Sequence, residues 1–188
     1  ILQRQTAPQL TKAVELAEAE QGKVIANKTG PDGNRVGWER LIEYFETTFG
    51  KDKIVSQPNG APNIVWREHI KKRDTFEGLV VQGNDNTPSM GERDVMPSWC
   101  GIFAFWALNK AGIPMPKWKL AESFIPPEAA YPPGYTPKPG DLAYRKQRSH
   151  YRLVIEMVGA NQVKSVNGNT AGNDNLGGEI QVQTHDLS

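Results

Sequence analysis

The chain has 188 residues, 38% of them hydrophobic, and a net charge of +1, the proportions of an ordinary soluble globular domain long enough to bury a real core. Near-neutral charge argues against a dedicated nucleic-acid or membrane-surface binder, and no apolar run approaches membrane-spanning length. One cysteine, Cys100, excludes an intrachain disulfide. Without CxxC, HExxH or acidic calcium-loop spacing, neither a metal nor a cofactor is expected. No signal-peptide pattern opens the chain, and its start at Ile1 suggests a domain cut from something longer.

In chain order, residues 8–21 place Leu10, Ala13, Val14 and Ala17 on one stripe, which predicts an amphipathic helix with Pro8 near its start. The Gly/Asn/Asp-rich stretch 22–37 reads as a loop. A second helix is predicted over 38–50, with Trp38, Leu41, Ile42, Phe45 and Phe49 at helical spacing and Gly50 as its stop. A shorter third helix follows over 63–73, then a polar loop over 82–94. Residues 97–113, PSWCGIFAFWALNKAGI, form the centre of the chain. Ser98 is a good N-cap, Gly112 a stop, and Ile102 to Leu108 leave no polar face, so this helix is expected to be buried. Cys100 falls in its first turn, where unpaired backbone N–H groups face whatever approaches.

Beyond it, residues 114–139 hold eight prolines and should wrap the surface in extended form. Strands are predicted over 142–145, 151–158, 162–166 and 179–184, divided by Asn-Gly and Gly-rich turns. Helices first and strands later, at hairpin spacing, predict an α+β fold with an antiparallel sheet. One domain is expected over 1–188, a helical part over 1–75 followed by the cysteine helix and sheet over 76–188.

His150 opens the strand that follows the turn, and an amide pair, Asn167 and Asn169, closes the next. A cysteine, a histidine and a third polar group that orients it are the minimum equipment for thiol acyl transfer. His69, in a charged helix, and His185, in a polar tail, read instead as solvated surface. Asn167 and Asn169 have a second reading as turn formers, because Asn-Gly-Asn is ordinary hairpin chemistry. Asp141, in PGDL, reads as a turn residue, and Arg145, Lys146 and Arg148 as a solvated loop. Trp38, Trp66 and Trp106 lie on apolar stripes and read as core. Trp99 either lines a cleft beside the cysteine or packs inside.

WCGIFAFWALNKAGI, PGDLAY, the histidine opening a hydrophobic strand and the later GNT together resemble the CHAP family (cysteine, histidine-dependent amidohydrolase/peptidase) of papain-like cell-wall hydrolases. The resemblance covers most of the chain and is strongest from Pro97 to Thr170. It implies a papain-like fold with Cys100 as nucleophile and His150 as general base. At the third site the family often has Glu-x-Asn, so Asn169 matches while Asn167 replaces the carboxylate. Two places after the histidine the family usually has a small residue; here Arg152 either crowds the base or binds an anionic substrate group.

By the same resemblance the substrate is peptidoglycan, cut at the muramoyl amide or within a peptide stem or cross-bridge. The protein would be secreted or delivered to the periplasm or cell wall, and an antibacterial toxin of this kind implies an immunity or inhibitor protein. Two alternatives stay open: a protease or deamidase acting on proteins, suggested by the altered third site and Arg152, and an inactive binding module, suggested by the missing carboxylate.

Overall fold

The structure, a computed structural model, describes residues 7–50, 54–56, 64–72, 79–81, 99–115, 131–145, 150–170 and 178–187. The loop expected over 82–94, Pro97 and Ser98, most of the proline-rich stretch, Lys146, Arg148, and the side chains of Trp66, His69 and Arg145 lie outside the described residues.

Helix α1 (Ala7–Glu18) buries Ala13, Val14 and Ala17, the stripe its periodicity predicts. The segment read as loop contains a short hairpin, β1 (Ile25–Thr29) and β2 (Arg35–Val36), which closes around Asp32 and Asn34. Its turn residues conceal the strands, because only two residues of β2 pair and little alternation is visible. Helix α2 (Trp38–Phe49) ends at Gly50 as predicted. Trp38 is half-buried with the Lys71 ammonium 5.0 Å above its ring, so it is a rim residue rather than core. A small two-stranded sheet, β3 (Ile54–Ser56) with β4 (Leu79–Val81), flanks helix α3 (Ile64–Lys71); three-residue strands carry too little pattern to be read in advance.

Helix α4 (Cys100–Lys110) is buried at every residue from Cys100 to Leu108, as its wholly apolar sequence requires. It packs against α1 and α2 on one side and against the main sheet on the other. That sheet is antiparallel throughout, ordered β2-β1-β8-β7-β6-β5, with β5 (Leu142–Arg145), β6 (His150–Met157), β7 (Gln162–Thr170) and β8 (Glu179–Asp186). The α+β class with an antiparallel sheet is thus observed. Two strands run further than the hydrophobic pattern shows. β7 continues through Asn167-Gly168-Asn169 to Thr170, and β8 extends through His185.

Gly140 of the PGD sequence has φ +85°, and a Cβ there would lie 2.5 Å from the Leu10 Cβ, so the turn into β5 closes directly on α1. The Asp141 carboxylate accepts hydrogen bonds from Tyr131 Oη, Tyr135 Oη and the Lys138 N–H at 3.0, 2.9 and 2.8 Å. Asp141 is therefore the organiser of this turn, as its position suggests.

Candidate functional site

The first turn of α4 is the start of the candidate site. Trp99 holds the N-cap position at φ −109° without a side-chain capping bond, one residue later than the Ser98 cap that the sequence suggests. The helical bonds begin with the Phe103 N–H donating to the Trp99 carbonyl at 2.9 Å, which leaves the N–H groups of Cys100, Gly101 and Ile102 without an intrahelical acceptor. Cys100 itself is 3% exposed.

Trp99 is fully buried, which decides its two readings in favour of the core; no substrate reaches its ring. Its ring stacks 6.2 Å from Tyr44 and meets Phe103 edge-on at 6.3 Å, while its Nε1–H is buried with no hydrogen-bond partner. Tyr44 donates its hydroxyl proton to Glu20 at 2.6 Å, and the same carboxylate accepts from Arg40 Nε at 2.7 Å and Lys23 Nζ at 3.0 Å. Burial works to raise the Glu20 carboxyl, and the bonds from Arg40, Tyr44 and Lys23 outweigh it, holding it below the usual glutamate range. Burial and the Glu20 charge push Tyr44 the other way, so its hydroxyl stays protonated and donating. The helix bearing Cys100 is thus seated on a buried aromatic stack with a charged anchor. In the sequence Glu20 is one more polar residue after a helix, and nothing distinguishes it.

On the sheet side, α4 lies tightly against Gly168. A Cβ at this position would sit 2.8 Å from the Phe103 Cβ, so only glycine lets the strand lie against the helix. Gly168, Val166, Leu153 and Tyr151 therefore form the face of β6 and β7 turned toward α4, where the last three join the core cluster with α4 residues. The last recorded pair between these strands is Leu153 with Val166. The residues that follow, Arg152 and Asn167, point to the opposite face by alternation, together with His150. The expected common face for His150 and Arg152 is present. It is the outer face, turned away from α4, the helix that carries Cys100.

Asn167 is completely buried within β7 and pairs with Gln181 of β8, which removes its reading as a hairpin turn former. Its Nδ2 donates to the Ser165 carbonyl, Ser165 Oγ and the Gln181 carbonyl at 3.1, 3.3 and 3.4 Å. Those three acceptors fix the amide orientation, and the buried Oδ1 is left with no hydrogen-bond partner. Asn169 has φ +58° and sits in a bulge, between the pairs Asn167 with Gln181 and Thr170 with Glu179. Asparagine tolerates this left-handed conformation, but its side-chain direction no longer follows strand alternation. His185, read as a solvated tail residue, instead pairs with Val163 inside β8 and is half-buried, because the strand outlasts its apolar pattern.

A cleft of about 410 Å³ crosses the outer face and is lined by residues of β5 to β8, Arg152 and His185 among them. Among the described residues, no helix is long and apolar enough to cross a membrane and no three of His, Cys, Asp and Glu are grouped to hold a metal ion. Comparison with protein-family models, with curated proteins and with solved structures found no match.

Proposed function

We propose that the protein is a papain-like cysteine amidohydrolase or peptidase that cleaves an amide bond of peptidoglycan, with a role outside the cytoplasm as a secreted or delivered antibacterial enzyme. The observation that carries this reading is the contact between Gly168 and Phe103. It sets the first turn of the cysteine helix over the stretch of β7 between the two asparagines, beside the strand that His150 opens. In this reading Cys100 Sγ attacks the amide carbonyl while His150 takes its proton. The tetrahedral oxyanion is met by backbone N–H groups of the first turn of α4, and collapse expels the amine, which leaves with the proton returned by His150. A thioester remains, and water activated by His150 hydrolyses it. The Asn167 Oδ1, which accepts no hydrogen bond in the structure, is in this reading the group that would take up the second imidazole N–H during catalysis.

Purified sacculi incubated with the protein test the proposal. New amino termini or freed stem peptides, detected by mass spectrometry and absent with Cys100→Ala, are the expected result. Intact sacculi from several wall chemistries, treated with folded protein, overturn it.

One observation favours a second reading. Cys100 is 3% exposed, and buried cysteines are commonly inert packing residues. An inactive binding module with the same fold has no use for an accessible thiol. Rapid alkylation of Cys100 in the native protein separates the two readings: an enzyme opens its first turn to reagents, whereas a packing cysteine reacts only on unfolding.

A further inference from the structure

The segment that leads into β5 carries a feature that the proposed chemistry does not use. A turn from Pro132 to Tyr135, closed by the Tyr135 N–H donating to the Pro132 carbonyl at 3.1 Å, lays the rings of Tyr131 and Tyr135 one on the other. Their centroids are 3.8 Å apart and their planes 4° from parallel. Ring quadrupoles favour offset or edge-on pairs over such a sandwich, so another force holds it. Asp141 supplies that force, taking one tyrosine hydroxyl on each carboxylate oxygen. Its own place is fixed by the Lys138 N–H on the carboxylate and by the Val154 N–H, which donates to the Asp141 carbonyl at 2.9 Å. Burial first, and Asp141 with it, pushes both phenol pKa values up, so the hydroxyls stay protonated and donating. Yet Tyr131 is 57% exposed, the most of any large hydrophobic among the described residues. Closing the turn takes two hydroxyls and a carboxylate; it does not take an open ring face.

We propose that Tyr131, backed by Tyr135, is a stacking platform for an uncharged pyranose ring, and that its ligand is a β-linked glycan strand. Tyr135 fills one face of the Tyr131 ring, so a ligand meets a single flat surface. A quaternary ammonium is held by rings on several sides, whereas the C–H face of a gluco-configured sugar needs only one. From Tyr131 to Pro137 no side chain is charged, which removes the grip that a nucleic-acid strand or an acidic peptide requires. Donation of the Tyr131 hydroxyl to a carboxylate shifts electron density into the ring, deepening the negative face that polarised C–H groups approach. The ring is also already fixed by its stack and its bond, so binding orders little that was free. Naming the glycan as that of the cell wall rests on the proposed hydrolase reading. The stacking site is a binding claim that is read without turnover.

The experiment uses the full chain with Cys100→Ala to prevent cleavage. Wall glycan strands freed of their peptides, chitin oligomers as a second β-linked source, and free stem peptides are titrated calorimetrically. The wall strands should bind, and Tyr131→Ala should weaken them about three- to tenfold at an unchanged melting temperature. Tyr131→Trp should keep the affinity, and Tyr131→Phe should lose only part of it, since the ring remains without its bond to Asp141. Chitin oligomers bound as tightly, with the same dependence on Tyr131, support the platform and widen its ligand to β-linked glycans in general. No binding of either glycan by the folded protein, an affinity untouched by Tyr131→Ala, or Tyr131-dependent binding of stem peptides in place of glycan, each overturns the proposal. Tyr131-dependent glycan binding together with intact sacculi leaves the platform standing and removes the hydrolase reading. Fragment release from sacculi by a protein that binds no free glycan does the reverse.

Discussion

The two faces of β6 and β7 are built from alternate residues of the same short stretches, yet they have opposite characters. Toward α4 stand Tyr151, Leu153, Val166 and Gly168, apolar or absent side chains that fit the helix closely. Away from it stand His150, Arg152, Ser165 and Asn167, polar groups of which the last two are completely buried. Each apolar position costs stability when changed because it fills space. A polar position does so only through the bonds it makes, and so it is available for chemistry. A slip of one residue in register would exchange the two sets, which is why the close fit at Gly168 matters to the site as much as to the core.

Mutations can break this division, and the largest effect expected is on the chemistry. Cys100→Ala and His150→Ala should each lower hydrolysis of sacculi by about a thousandfold or more, while melting temperature shifts little, since the first removes a single sulfur atom from the core and the second truncates a half-buried side chain. Unchanged fragment release from either variant would remove the catalytic assignment. On the apolar face, Leu153→Ala should destabilise by about 2–5 kcal/mol in urea unfolding, because a fully buried leucine leaves a cavity under α4. Gly168→Ala should cost about 1–3 kcal/mol, as the new methyl meets Phe103, and pairing it with Phe103→Leu should recover part of the loss. A Gly168→Ala protein as stable as wild type would show that strand and helix separate easily there.

On the polar face the expected change is smaller and of another kind. Asn167→Ala should reduce kcat about tenfold with KM nearly unchanged, and Asn169→Ala less, because the open acceptor belongs to Asn167. Equal kinetics for both variants and wild type would mean that another group orients His150. The smallest effect belongs to the anchor beneath the helix. Glu20 is held ionised in the fold below its ordinary pKa of about 4.3, so the unfolded chain binds its proton first. Its contribution is present above that value and is lost as pH falls through the lower folded value. Urea unfolding of Glu20→Gln should therefore show about 1–2 kcal/mol less stability at pH 7 and a smaller difference from wild type near pH 2. A difference that does not narrow on acidification contradicts the ionised anchor.

Periodicity and composition were enough for the elements whose burial is local. The stripe of α1, the stop of α2 at Gly50 and the wholly apolar α4 can be read because each repeats its pattern over three turns or more. The alternation of β6 likewise places His150 and Arg152 on one face before any partner is known. What the sequence could not reveal depends on which strand lies beside which. Asn167-Gly168-Asn169 has the letters of a turn, and it becomes strand because Gln181 pairs with it and Phe103 rests on its glycine. His185 has the letters of a tail until Val163 pairs with it. Trp99 could have faced either way, and only the stacking of Tyr44, itself held by Glu20, turns it inward. In each case the deciding partner lies far along the chain, so the energy that fixes the residue comes from contacts that no local pattern encodes.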